Sequence, residues 1–311
     1  MKARLEHLHA PATAAFGEAV SFDEPMARHT LYKIGGPADV FVHATRLGLL
    51  RSAVQFAAEH ALALHVIGHG SNLLVPDDGV RGLVVRAALT TAHVEGTALT
   101  VGAGVALPQA AALAAKHALG GLEFAVGIPG TVGGALVMNA GCHGREIGEL
   151  VEQVDVVARD GEVRTLARDE CRFAYRTSNL REQGVAIAGA TLRLVPDDAA
   201  AIEQRMGEHR AWRADTQPHG RPNAGCVFKN PPGDAAGRLI DKAGCKGLGV
   251  GGAEVSTVHA NFIINRDGAT YADVTRLIET VRERVAAQFG IRLELELVDL
   301  GKASAVPRAT G

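Results

Sequence analysis

The sequence predicts an α+β protein with more than one domain. Three observations carry this expectation. Strand-like and helix-like segments mix through the first third of the chain. A hairpin signal stands near the middle. A polar helix and a Pro- and Gly-bearing loop then precede a C-terminal region with its own plan. A length of 311 residues suits roughly two domains, or three small ones.

The elements follow in order. "ADVFVHA" (38–44) reads as a strand, and "RLGLLRSAVQFAAEHA" (46–61) has the apolar spacing of a helix. "LHVIG" (64–68) is a strand that stops in "HGSN", and "GLVVRA" (82–87) and "ALTVGAG" (98–104) are further strands. "PQAAALAAKHAL" (108–119) is an Ala-rich helix with Pro108 suited to its first turn. "VEQVDVVARDGEVRTLAR" (151–168) places two β-rich runs around Asp160-Gly161, a hairpin. "VAIAGATLRLV" (185–195) is another strand. Residues 196–225 give a polar helix and then the boundary loop. Beyond it come a short helix (235–244) and the strand "ANFIIN" (260–265). A helix then begins at the Thr270/Asp273 capping box and closes at Gly290. "RLELELVDL" (292–300) alternates Leu293, Leu295 and Leu297 with Glu294, Glu296 and Val298, the pattern of a half-buried strand. The tail 302–311 is expected to be loose.

Bulk composition excludes several classes. Hydrophobic content of 47% with 21% charged residues is globular rather than disordered. A net charge of −2 without a dense Lys/Arg run argues against nucleic-acid or membrane-surface partners, and 4% aromatics argues against base-stacking surfaces. Cys142, Cys171, Cys226 and Cys245 form no C-x-x-C pair, so no zinc or redox spacing is present. The stretch "MKARLEHLHAPATAAF" has no apolar signal region, and no run of about 18 apolar residues suggests a membrane span. The expectation is a cytoplasmic protein with free thiols and no metal. His7 and His9 form an H-x-H pair, which near a terminus is more often incidental than ligating.

Two glycine loops stand out. "GHGSNLLV" (68–75) directly follows a strand. Gly68 and Gly70 permit turns closed to other residues, so consecutive N–H groups can form an anion-holding nest with Ser71 and Asn72. An ordinary strand-to-strand turn is the alternative. "GIPGTVGGALVMNAG" (127–141) carries five glycines and a proline in 15 almost uncharged residues. It reads as buried backbone brought close to something flat or anionic, with a helix starting at Thr131 whose free N–H groups would face a phosphate. Close packing through Gly133-Gly134 is the alternative. Neither loop is a Rossmann fingerprint, and no P-loop is present.

Other residues carry chemistry only in combination. Tyr175 and Arg176 in "FAYRTSNL" offer a planar cation suited to a carboxylate or enolate, although such an arginine is often a surface ion pair. Glu296 is equally plain as a surface residue. Lys229 and Asn230 suit phosphate but also suit a turn. His259 before "ANFIIN" suits a core histidine. Cys226 sits between a flexible Ala-Gly and the Lys-Asn pair.

Taken together and in order, "TLYKIGGPA" (30–38), "GHGSNLL", "GIPGTVGGALVMNAG", "YRTS", "NAGCVFKNP", "AGRLIDKAGCKG", "HANFIIN" and "FGIRLELELVDLG" closely resemble the UDP-N-acetylenolpyruvoylglucosamine reductase (MurB) family over roughly residues 28–301. The resemblance implies a two-subdomain FAD-binding fold of the vanillyl-alcohol-oxidase/PCMH type plus a C-terminal α+β substrate-binding domain. The implied units are 1–86, 87–200 and 201–311. With no insertion in "EIGELVEQVDVVARDG", the chain looks like the shorter-chain type II class. The family reaction it implies uses NADPH and FAD to reduce UDP-N-acetylglucosamine enolpyruvate to UDP-N-acetylmuramate in peptidoglycan synthesis. Hydride passes from flavin N5 to C3, and a proton reaches C2. A monomer is implied.

By that resemblance Gly68, Gly70, Ser71 and Asn72 hold FAD, as do Gly127, Ile128, Pro129, Gly130, Thr131, Gly134, Asn139, Ala140, Gly141 and Tyr175. Arg176 would stabilise the enolate. Glu296 would act near C2 in a protonated form, because a carboxylate would repel the developing charge. Lys229, Asn230 and His259 would meet the substrate diphosphate or its surroundings. Cys226 stands where better-known members place a proton-donating serine. A thiol titrates near 8.5, far below a hydroxyl, so it can donate with less help. Val298 departs from the arginine of longer members, leaving Arg213 or Arg221 to supply that contact. Two rivals remain. An oxidase of the same fold would release H₂O₂, and a non-catalytic flavin-binding module would tolerate loss of Arg176 and Glu296 together.

Overall fold

"ADVFVHA" forms the Pro37–Ala44 strand, whose Val40, Val42 and Ala44 are buried in the core. The computed structural model describes residues 5–302; the rest of the tail expected to be loose, 303–311, lies outside the described residues. The first sheet runs Val20–Pro25, Pro37–Ala44, Val80–Ala87, Leu64–Ile67. Its first pair is antiparallel and the others are parallel. Helix α1 (His9–Phe16) and the Val20–Pro25 strand were not legible beforehand. Short elements with weak periodicity, they are held by tertiary contacts such as Phe16 edge-on to Phe56 at 5.1 Å. Helix α2 (Leu47–Glu59) buries Leu50, Ala53, Val54 and Ala57, the 3–4 spacing of one helix face.

The second sheet is antiparallel, in the order Val163–Ala167, Val151–Val157, Ala186–Arg193, Ala98–Gly102, Ala92–Glu95. The hairpin expected around Asp160-Gly161 forms there, with Gly161 at φ 81°. Helix α4 (Val132–Met138) packs on this sheet, α3 (Leu107–Lys116) adds its apolar face to the same core, and that single core joins the sheet to the first. Helix α5 (Ala199–Thr216) is polar, capped by Asp198, and contributes only Ile202 and Met206 to that same core.

The C-terminal sheet runs Asn223–Cys226, Phe262–Asn265, Ala253–Val255, Gly249–Val250. Helices α6 (Ala236–Lys242) and α7 (Tyr271–Phe289) share its core, and the Thr270/Asp273 capping box and left-handed Gly290 bound α7 as expected. Tyr32, Ile34 and Leu74, distant in sequence, are part of this core.

The final segment differs from its expected strand. Leu293 and Leu297 are buried and Glu294 is exposed, as the alternation requires, but only Val298–Asp299 forms a ladder. The reason is its position between two partners. Val298–Asp299 pairs in parallel with Leu73–Leu74, while Leu295 makes an isolated bridge to Phe228.

Asp77 binds the two parts together from another side. Its carboxylate accepts from the N–H groups of Tyr271 at 2.9 Å and Ala272 at 3.4 Å, the first residues of α7. Four N–H groups at a helix start lack intrahelical partners, so this is a cap supplied across nearly two hundred residues. Asp77→Ala is expected to cost about 0.5–2 kcal/mol, read as a lower urea midpoint with an unchanged slope.

Candidate active site

The loop "GHGSN" leaves the Leu64–Ile67 strand and meets "GIPGT" edge to edge. A Cβ at Gly68 would collide with Thr131 Oγ1, and one at Gly130 (φ 132°) would lie 2.8 Å from Ser71 Oγ. Only glycine allows this approach. Among the described residues the N–H groups of Gly70, Ser71 and Asn72 donate to no protein acceptor, so the loop is a nest open to an anion.

The second loop behaves differently from its expectation. Helix α4 does start after Thr131, but Val132 N–H donates to Val105 C=O and Gly133 N–H to Ala103 C=O, both at 2.9 Å. Those N–H groups are spent on neighbouring backbone and are not free for a phosphate. Both Gly133 and Gly134 line the cavity, but a Cβ at Gly133 would crowd Ala103 at 3.0 Å, so Gly133 also serves packing, whereas one at Gly134 would meet only Thr131 Oγ1 at an ordinary 3.8 Å.

The cavity spans about 1300 Å³. That exceeds the roughly 300–1,000 Å³ of an ordinary small-ligand site. Both loops, the Tyr175 turn and the C-terminal sheet wall it. Of the residues expected at the site, all line it except Gly127, Asn139 and Lys229. Gly127 abuts the Arg213 side chain. Asn139 is buried in left-handed conformation at the end of α4. Its amide donates to Glu146 at 2.7 Å and to Ala174 C=O at 3.0 Å, while its oxygen accepts from Gly148 N–H at 2.9 Å. It ties the cavity wall together from behind. Lys229 Nζ turns to Glu294 at 3.7 Å. Asn230 lines the cavity, but its side-chain oxygen accepts from Ala236 N–H at 2.9 Å, at the start of α6. The suggested diphosphate grip is therefore already partly occupied with structure.

Arg176 is set by a tight turn. Ala174 and Thr177 exchange two backbone hydrogen bonds of 3.0 Å, and Arg176 takes φ 54°, a strained value for a residue with a Cβ. Its Nη2 donates to Gly141 C=O at 3.0 Å. Its Nε lies 2.9 Å from Glu296 Oε1 without alignment for a hydrogen bond, so that contact is electrostatic. The Tyr175 hydroxyl accepts from Asn230 N–H at 3.3 Å, bridging to the C-terminal domain.

The Ala-Gly before Cys226 now has a physical explanation. Asn223 pairs with Ile264 and Cys226 with Phe262, so the strand carries one extra residue, with Gly225 at φ 75°. This bulge re-aims the chain beside the site, and Cys226 lines the cavity. Burial and the nearby Glu296 push its thiol up to about 12, against the pull of Arg176 and Arg213. The sequence suggested an easily ionised thiol; the fold instead holds it protonated. Burial also raises Glu296 above the usual carboxylate range, and Arg176 opposes this. His259 is held below its usual value by burial, and its Nδ1 accepts from Asn261 N–H at 3.2 Å, which leaves the proton of the neutral ring on Nε2. Of the two candidate replacement cations, Arg213 lines the cavity, whereas Arg221 is exposed and donates to Arg266 C=O at 3.5 Å.

An FAD group fits these residues. The free nest of the first loop suits a pyrophosphate, and glycine backbone with the apolar Ile128, Pro129 and Ala140 suits a flat ring. Reasoning from sequence missed Cys142, His143, Trp212 and Gln217 as lining residues. None lies in a distinctive motif, although Trp212 is the chain's one tryptophan. Among the described residues no helix is long and apolar enough to cross a membrane, and all four cysteines are free.

Comparison with known proteins agrees with this geometry. Residues 38–167 match the FAD binding domain family, and residues 217–299 match the family described as UDP-N-acetylenolpyruvoylglucosamine reductase, C-terminal domain. A UDP-N-acetylenolpyruvoylglucosamine reductase of Moorella thermoacetica is 50% identical over 88% of this chain and 91% of its own. That of Desulforamulus reducens is 46% identical over 91% and 94%. The crystal structure of the Thermus caldophilus enzyme superposes with a TM-score of 0.79 at 38% identity, over 90% of this chain and 97% of the other. With the glycine loops, the bulged cysteine strand and the Arg176–Glu296 contact in one cavity, this chain belongs to the UDP-N-acetylenolpyruvoylglucosamine reductase family.

Proposed function

We propose that the protein reduces UDP-N-acetylglucosamine enolpyruvate to UDP-N-acetylmuramate with NADPH, in the cytoplasmic stage of peptidoglycan synthesis, as a monomer. The convergence of Arg176, Glu296 and Cys226 on the cavity walled by the glycine loops carries the reading. FAD, when bound, supplies hydride transfer from NADPH to the enolpyruvyl C3. Everything else falls to side chains. Gly70, Ser71 and Asn72 hold the cofactor's anionic part, and Ile128, Pro129, Gly130, Ala140 and Gly141 support its flat part. The proposed units are 1–86, 87–200 and 201–311; α5, at the start of the last, packs into the core shared by the first two.

Arg176 meets the negative charge that develops as C2 becomes electron-rich. Its strained turn and its bond to Gly141 fix the guanidinium before substrate arrives, so little reorganisation is needed during reaction. Cys226 delivers the proton to C2. A thiol pushed up to about 12 carries its proton throughout the neutral range, so the donor is always loaded. Glu296 in its protonated form avoids repelling the enolate and returns a proton to the site. Arg213, His259 and Asn230 face the sugar nucleotide.

Turnover of substrate-dependent NADPH oxidation tests the reading. Cys226→Ala is expected to lower kcat by about 10²-fold or more while Cys226→Ser retains activity and flavin reduction by NADPH persists in both. Alanine turning over like the wild type would move the proton to Glu296 or water. A wild type that does not oxidise NADPH with this substrate would overturn the reductase assignment. Arg176→Lys keeps the charge but loses the planar fork, and should lower kcat by about 10²–10³-fold with flavin content unchanged.

The raised Glu296 gives a signed pH prediction. A proton needed on that carboxyl is lost as pH rises, so kcat should fall through an apparent pKa above the ordinary carboxylate range. That limb should vanish in Glu296→Gln. Because the Cys226 thiol is pushed up to about 12, wild type and Cys226→Ser should show the same alkaline profile up to about pH 9. A thiol-dependent limb near 8.5 would contradict it.

A further inference from the structure

Trp212, the chain's one tryptophan, is 45% exposed on the wall of the main cavity. His143 lines the same cavity from the turn between Gly141–Cys142 and Arg145–Glu146. Its ring meets the indole at 4.8 Å and 73°, and stacks on His209 at 3.8 Å and 14°. His209 and Trp212 are three residues apart on α5, hence on one face of the helix. Helix and hairpin turn together build a corner of three rings.

Packing alone does not account for this corner. An indole left 45% exposed forgoes part of the stabilisation that its burial would supply. His143 takes φ 53° and Gly144 φ 75° in a two-residue turn, a geometry that favours Asn-Gly over histidine. The fold thus holds an imidazole in a disfavoured conformation where it faces the cavity. Rings stacked nearly parallel cannot aim their nitrogens at one metal, and no three-ligand cluster exists among the described residues. The residue after Trp212 is Arg213, which lines the cavity with no ion-pair partner among the described residues. Flat rings beside an unpaired cation are the elements of a nucleotide site, a base to stack and a phosphate to neutralise.

We propose that His143, His209 and Trp212 form a stacking site for the base of a reacting nucleotide, with Arg213 facing its phosphate. This rests on the function proposed above, in which both reactants carry a base: uracil on the sugar nucleotide, adenine on the reductant. Both bases share the stacking chemistry, and the test separates them.

The FAD-loaded protein is titrated with UDP and, separately, with adenosine 2′,5′-bisphosphate, while Trp212 emission is followed. Neither probe absorbs where indole emits. One of them should quench saturably, which identifies the base. Trp212→Ala should then raise KM about tenfold for the reactant carrying that base, with kcat and the other KM changed less than about twofold. Trp212→Phe, which keeps a ring, should restore most of the loss. The proposal is overturned if neither probe alters emission and both Trp212→Ala and His143→Ala leave both KM values within about twofold of wild type. Failure of the two readings is distinguishable. Saturable quenching in a protein that does not turn over the substrate removes the reductase assignment and keeps the site. Full turnover with a silent corner does the reverse.

Discussion

The site depends on how the backbone of residues 294–300 is paired. Lys229 N–H donates to Glu294 C=O, and Glu296 N–H donates to Val227 C=O, both at 2.9 Å. One turn of chain later, Val298 N–H donates to Asn72 C=O at 3.0 Å and Leu300 N–H to Leu74 C=O at 2.9 Å. Asn72 also reaches back to the carbonyl of Glu296 at 3.0 Å. Buried backbone groups must find partners, so this segment is ordered only where both domains present an edge to it. Glu296 is thereby fixed at one distance from the nest of the first glycine loop and at another from Cys226. A single strip of chain sets the spacing between the first glycine loop, the carboxyl and the thiol.

Buried amides reinforce that arrangement. Asn261 clamps the backbone of Phe228 with two hydrogen bonds, at 2.9 and 2.8 Å, just beyond Cys226. Asn265 joins Tyr32 C=O to Ala269 N–H across the domains. Unmet polar groups in such places would cost about 1–3 kcal/mol each, so satisfied networks specify one geometry rather than merely adding stability. In the proposed reaction this rigidity matters, because the proton and the hydride are to reach adjacent carbons from groups held by different parts of the chain.

Electrostatics within the cavity then follows from burial more than from pairing. Glu296 and Cys226 both hold their protons more tightly than in water, although Arg176 and Arg213 stand nearby. Desolvation of the charged forms outweighs the attraction of the arginines. The result is a thiol that stays loaded and a carboxyl that holds its proton more tightly than it would in water, even with Arg176 at 2.9 Å.

Much of this was legible in the chain. Long periodic segments such as 47–59 and 271–289 declare themselves, because apolar spacing and capping are local physics. The glycine loops and ordered motifs announce close backbone approach and the family, and thereby the cavity's main residues. Local signals could not say that the N–H groups of Val132 and Gly133 are spent on Ala103 and Val105, that Asn139 works behind the wall, or that 292–300 is mostly not a strand. Nor could they place Trp212 against His143, since α5 and the hairpin lie some seventy residues apart. The acidity of Cys226 makes the division plain. Sequence determined that a thiol stands in the motif; only the tertiary structure, by burying it beside Glu296, decided that it stays protonated.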